Sequence, residues 1–172
     1  PRRPGTAWAR TGSLSARSRR RPTARGRTAG RAAAAAAVAR RAGWQALAQL
    51  VSDLKAEDDP VAPGQKLIET TTILVFSEFG RTSLLNNRGG RDHSLTTACM
   101  MIGAGVPHNQ AIGASKDIGM IPLPIDPITG AVVEEGGVTL NPSTVVASLL
   151  QGAGLDTDHL RTDGLPCLMT DR

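Results

Sequence analysis

The sequence predicts an α/β domain over residues 44–172, preceded by a disordered basic segment over residues 1–43. Three observations carry this. The charge changes sign at Trp44: residues 1–43 hold twelve arginines and no Asp, Glu or Lys, and all fifteen acids lie after them. Thr71–Phe76 is a β-branched, apolar run without alternation, the pattern of a strand buried on both faces of a parallel sheet. Asn141–Gly152 carries the start, stripe and stop signals of a helix.

The elements follow in order. Residues 1–30 are Arg, Pro, Gly, Ser, Thr and Ala, with too little to bury to offset the entropy of ordering. Ser18-Arg19-Arg20-Arg21 followed by Ala32–Ala39 faintly resembles a twin-arginine export signal. A solvated basic tail is a second reading. Out-of-frame translation is a third, and it accounts best for the Arg/Ala/Gly/Pro bias, which GC-rich DNA yields in a wrong frame. From about Ala32 to Ala56 the pattern is helical, with Trp44, Leu47, Ala48, Val51 and Leu54 on one stripe. Glu57–Pro60 ends it, and Val61–Lys66 is a Pro/Gly linker. The strand Thr71–Phe76 stops at Ser77-Glu78-Phe79-Gly80-Arg81-Thr82. Leu84–Arg91 is a loop, and Ala98–Ile102 is a second short strand closed by Gly103. Val106–Gly137 is loop-rich, with one hairpin around Thr129-Gly130. Asn141 is the N-cap of the last helix and Pro142 its first residue. Val145, Val146, Leu149 and Leu150 make its buried face, and Gly152 and Gly154 stop it. The tail Leu155–Arg172 reads as extended and loosely packed.

Composition excludes several functions. The formal charge is +12 before Trp44 and −7 from it onward, so the sequence pI of 10.2 belongs to the N-terminal segment. Base-stacking proteins interleave aromatics with basic residues, whereas this chain has only Trp8, Trp44, Phe76 and Phe79. A nucleic-acid partner is therefore not expected. No apolar run approaches the ~18 residues of a membrane span. Cys99 and Cys167 are not at a metal-type spacing, and Cys99 reads as a small buried hydrophobe.

A buried strand that runs directly into a polar, glycine-containing loop marks a place where α/β sheets bind ligands. Here that edge presents Ser77, Glu78, Arg81 and Thr82. A second polar cluster, Arg91-Asp92-His93-Ser94, precedes the next strand, so both loops can meet at one site. Glu78, Asp92 and His93 are oxygen and imidazole donors suited to a divalent metal. Arg81 and Arg91 suit an anion. Each has a structural alternative: Glu78 in an ion pair with Arg81, Asp92 as a cap, His93 as a structural histidine. Arg88, His108, His159, Asp156, Asp158 and Asp163 read as surface residues.

The pairing of Ser-Glu-Phe-Gly-Arg-Thr at 77–82 with Gly-Arg-Asp-His at 90–93, then Met101–Val106, resembles the bacterial family called domain of unknown function 1501. The resemblance covers roughly Leu47 to Arg172. That family is similar, more distantly, to the alkaline phosphatase and sulfatase superfamily. The resemblance implies that residues 44–172 are part of such a sheet-and-helix domain, with Ile68–Arg172 its C-terminal part, and that the chain carries one wall of the site, at Ser77–Thr82 and Arg91–Ser94. It implies a phosphate or sulfate ester as substrate, a divalent metal (Zn, Ca or Mg) as cofactor, and an exported, periplasmic or extracellular protein. His93 matches a superfamily metal ligand, and Glu78 stands where an Asp ligand is found. Phe79 stands where a His ligand is found, and the superfamily's nucleophile comes from an N-terminal half with no counterpart here. The expectation is a fragment without activity of its own, with a non-catalytic scaffold or binding module as the alternative.

Overall fold

The computed structural model describes residues 24–170. The described residues fall into two units, divided between Ala48 and Gln49. Helix α1 spans Ala24–Ala56. Its alanine run has the highest intrinsic helix propensity, because alanine loses no side-chain entropy on becoming helical. The segment expected to be disordered up to residue 43 is thus helical from Ala24. Residues 1–23, with the Ser18–Arg21 motif, lie outside the described residues. Of the expected apolar stripe, Leu47, Val51 and Leu54 are half-buried, whereas Trp44 and Ala48 are exposed.

The linker after α1 is held by two polar clasps. Asp59 accepts hydrogen bonds from the Val61 and Ala62 N–H groups and from the Thr70 hydroxyl. Lys66 donates to the Ala56 carbonyl and pairs with Asp58 at 2.6 Å. A short helix, α2 (Leu67–Thr70), follows, its entry secured by the Lys66 N–H donating to Glu69.

Strand β1 (Thr72–Phe76) pairs with β4 (Cys99–Gly103), Thr72 opposite Gly103 and Phe76 opposite Cys99. Between them, β2 (Gly80–Arg81) pairs with β3 (His93–Ser94). Both ribbons are antiparallel, so the fold is mixed α/β with two small antiparallel sheets. The expectation of a parallel sheet is corrected here. A parallel partner needs a crossover of a dozen or more residues, usually through a helix. Residues 77–98 instead fold back on themselves as β2 and β3, which returns β4 alongside β1 in the opposite direction. An unbroken apolar run reports that both faces carry apolar side chains; it is silent on strand direction. Nor is β1 fully buried: Thr72–Val75 are half-buried and Phe76 is exposed. Cys99, opposite Phe76 at the same end of the ribbon, is exposed rather than buried, because no further layer covers that end among the described residues.

The core lies elsewhere. Ile125, Leu165, Cys167 and Leu168 form its buried cluster, with Ile112, Leu140 and Val145 packed against it. Ile125 belongs to the expected hairpin, bridged to Val132 across the turn that contains Gly130. Leu165, Cys167, Leu168 and Met169 come from the tail expected to be loose. Their apolar run is too short to show a period, so its burial was not legible in the pattern.

Helix α3 spans Pro142–Gly152, and the Asn141 side chain accepts from the Thr144 N–H as its cap. It ends in a Schellman pair: Leu155 N–H bonds Leu150 O and Gly154 N–H bonds Gln151 O, with Gly154 at φ +73°. Its buried face is Thr144, Ala147, Ser148 and Gly152, not the larger Val146, which is exposed. The reason is close approach. A Cβ on Gly164 would stand 2.7 Å from Ser148 Cα, and one on Gly152 would stand 2.9 Å from Met169 Cβ. Only small residues on this face of the helix let the tail lie against it.

Candidate functional site

The two polar loops do come together. Arg81 stands opposite His93 and Gly80 opposite Ser94 across the β2–β3 ribbon. The Thr82 N–H extends the pairing to the Asp92 carbonyl at 3.0 Å, and the Thr82 hydroxyl accepts from the Asp92 N–H. Gly80 is required by this geometry, because a Cβ there would lie 2.0 Å from the Thr96 carbonyl oxygen.

The arginines hold the ribbon reciprocally. Arg81 Nη1 donates to the Arg91 carbonyl at 3.0 Å, and Arg91 Nη1 donates to the Thr82 carbonyl at 2.9 Å. A guanidinium has five N–H donors in a rigid fork, so one anchoring bond leaves others for a ligand. Neither arginine is neutralised by a carboxylate: the one ion pair among the described residues is Lys66–Asp58. The alternative in which Glu78 pairs with Arg81 is therefore not what the structure has.

Asp92 does not cap the segment after it. Its carboxylate accepts from Asn86 Nδ2 at 2.7 Å. Asn86 in turn accepts from the Arg88 and Gly90 N–H groups through its own side-chain oxygen, an Asx turn that shapes the 86–90 loop. Asn86-Asn87 with Gly89-Gly90 is the turn chemistry the sequence offers for this loop, whereas the bond from Asn86 to Asp92 joins two segments and no local pattern shows it.

His93 packs flat on Phe79, with ring centroids 3.6 Å apart and planes at 18°. The Arg81 guanidinium carbon lies 5.0 Å from the centroid of the same ring. Phe79, set aside as a non-ligand, is thus the residue that orients His93 and supports Arg81. Nothing in the one-dimensional pattern pairs the two rings; they meet because β2 and β3 are in this register.

Glu78, Arg81, Arg91, Asp92 and His93 are all exposed. Among the described residues no three of His, Cys, Asp and Glu are grouped as a metal set requires. Glu78, Asp92 and His93 are not grouped as such a set in the structure. Ser77 donates to the Phe79 carbonyl, Thr82 donates to the Leu84 carbonyl, and Ser94 accepts from the Thr96 N–H. These hydroxyls bond to backbone rather than to a general base, which is the partner an activated nucleophile needs.

A cavity of about 250 Å³ opens beside the ribbon, lined by Thr82, Leu84, Leu85, Asn86, Asp92 and Met120 among others. No helix among the described residues is long and apolar enough to cross a membrane.

These features define a mixed α/β protein with an exposed, arginine-bearing site on a short antiparallel ribbon. The chain belongs to the family described as Protein of unknown function (DUF1501), whose model matches residues 31–161. The match begins inside the Arg/Ala-rich segment and includes both polar loops. No curated protein and no solved structure matches the chain significantly.

Proposed function

We propose that this chain is an anion-binding module that holds a phosphate or sulfate ester at Arg81 and Arg91 without hydrolysing it. The observation that carries the reading is the reciprocal anchoring of the two guanidiniums on the Arg91 and Thr82 carbonyls, with no carboxylate paired to either among the described residues. Anchoring lowers the entropy lost when a ligand is bound, and unneutralised arginines match the planar, bidentate geometry of phosphate and sulfate oxygens. The resemblance to the alkaline phosphatase and sulfatase superfamily names the same ligand class and an exported setting, and it enters here as support for the proposal.

The test is equilibrium binding of inorganic phosphate and sulfate to the full chain at low and high salt. Arg81→Ala and Arg91→Ala are each expected to weaken binding by about tenfold, the effect of losing one charge-assisted contact. Salt should weaken binding in the wild type, because the site is exposed. Wild-type affinity in both variants would overturn the reading. Turnover of an aryl phosphate or sulfate after addition of Zn, Mg or Ca would replace it with a metal-dependent hydrolase.

A further inference from the structure

We propose that the cleft between the start of α3 and residues 160–162 of the tail binds a small monocarboxylate with an apolar body, its carboxylate held by Arg161. None of the lining residues belongs to the β2–β3 ribbon.

The cleft is built by one side chain that fixes the tail segment at two points. Gln151 Nε2 donates to the Thr157 hydroxyl, and Gln151 Oε1 accepts from the Gly164 N–H, each at 3.0 Å. The Leu165 N–H then bonds to the Ser148 hydroxyl, which carries the chain into the core. Between these anchors the Leu160 N–H turns back onto the Thr157 carbonyl at 2.8 Å. Residues 160–162 form one wall, and Asn141, Pro142, Ser143 and Val146 form the other, around a space of about 600 Å³. Small-molecule sites occupy roughly 300–1,000 Å³. A segment clamped at both ends gives a cleft that exists before the ligand arrives, which lowers the cost of binding.

The lining selects the ligand. Arg161 is its only charged side chain, and among the described residues Arg161 makes no ion pair. Val146 is 45% exposed on a helix whose Thr144, Ala147 and Ser148 are buried, and with Pro142 and Leu160 it offers apolar surface to a ligand. The start of α3 supplies walls rather than charge: Pro142 has no N–H, and Asn141 already takes the Thr144 N–H. A planar carboxylate matches the guanidinium fork. One guanidinium neutralises one negative charge. A phosphate dianion would add a second to residues 44–172, whose formal charge is already −7.

The test is calorimetry of phenylacetate, phenylacetamide and acetate on the full chain. Phenylacetate is expected to bind about tenfold more tightly than the uncharged amide, which loses the charge-assisted contact. It should also bind about tenfold more tightly than acetate, which has no ring to bury. Arg161→Ala should bring phenylacetate down to the affinity of the amide, and Val146→Asp should weaken it by about tenfold. Both side chains are exposed, so the unfolding midpoint should stay near wild type. Arg81→Ala should leave phenylacetate binding unchanged, which separates the cleft from the ribbon. Equal affinities for phenylacetate and its amide in the wild type, or no binding of phenylacetate, would overturn the assignment whether or not any variant folds. Binding lost in Arg81→Ala but kept in Arg161→Ala would move the carboxylate to the ribbon and overturn it as well.

Discussion

The imidazole of His93 lies face to face with the ring of Phe79, their centroids 3.6 Å apart, and Arg81 stands opposite His93 on the paired strand. An aromatic residue between two polar ones thus sets the geometry of the ribbon. Stacked aromatic pairs contribute about 0.5–1.5 kcal/mol beyond their area burial. Phe79→Ala should lower stability by about 1 kcal/mol and move the His93 ring proton resonances downfield as the ring current is lost. Unmoved His93 resonances would show that the two rings do not stack in solution.

Gly80 sets how closely the two loops approach. A Cβ at that position would stand 2.0 Å from the Thr96 carbonyl oxygen. Gly80→Ala should therefore cost about 1–3 kcal/mol, as overpacking does, and should weaken phosphate binding by separating the arginines. Denaturant unfolding and calorimetry measure the two effects. Wild-type values in both would contradict the tight crossing.

Ser148 joins α3 to the tail. Its hydroxyl donates to the Thr144 carbonyl and accepts from the Leu165 N–H, both at 2.8 Å and both buried. Ser148→Ala leaves the Leu165 N–H without that acceptor, at a cost of about 1–3 kcal/mol for an unsatisfied buried donor. In native-state hydrogen exchange, the Leu165 amide should lose protection more than its neighbours. Uniform loss across the unit would point to a global effect instead.

Asp59 makes the linker sensitive to acid. The Thr70 hydroxyl first, and then the Val61 N–H, hold its carboxyl below the usual carboxylate range. A depressed folded-state pKa means that the group adds stability above its unfolded value, near 3.9, and that this is lost as pH falls through the folded value. Thr70→Val should raise the Asp59 pKa, followed by carboxyl NMR titration. An unchanged titration would show that the hydroxyl bond does not form in solution.

Several features were legible in the one-dimensional pattern. The two polar loops, the start and stop of α3 and the hairpin at Gly130 each depend on neighbours a few residues apart: an Asn that caps a helix, a Gly that takes a left-handed turn, a strand that ends in polar residues. The family resemblance rested on the same local motifs, and the match over residues 31–161 agrees with it. The direction of β1, the exposure of Cys99 and the burial of Leu165–Met169 depend on what the chain meets after a long loop. Strand direction was settled by residues 77–98 folding back as a second ribbon. The tail became core because α3 presents Thr144, Ala147, Ser148 and Gly152, small enough for backbone to lie against. Local hydrogen bonding and backbone stereochemistry were thus written in the sequence. Only the tertiary structure decided which ring His93 stacks on and where the apolar residues are buried, because those outcomes depend on distances between segments that no local pattern contains.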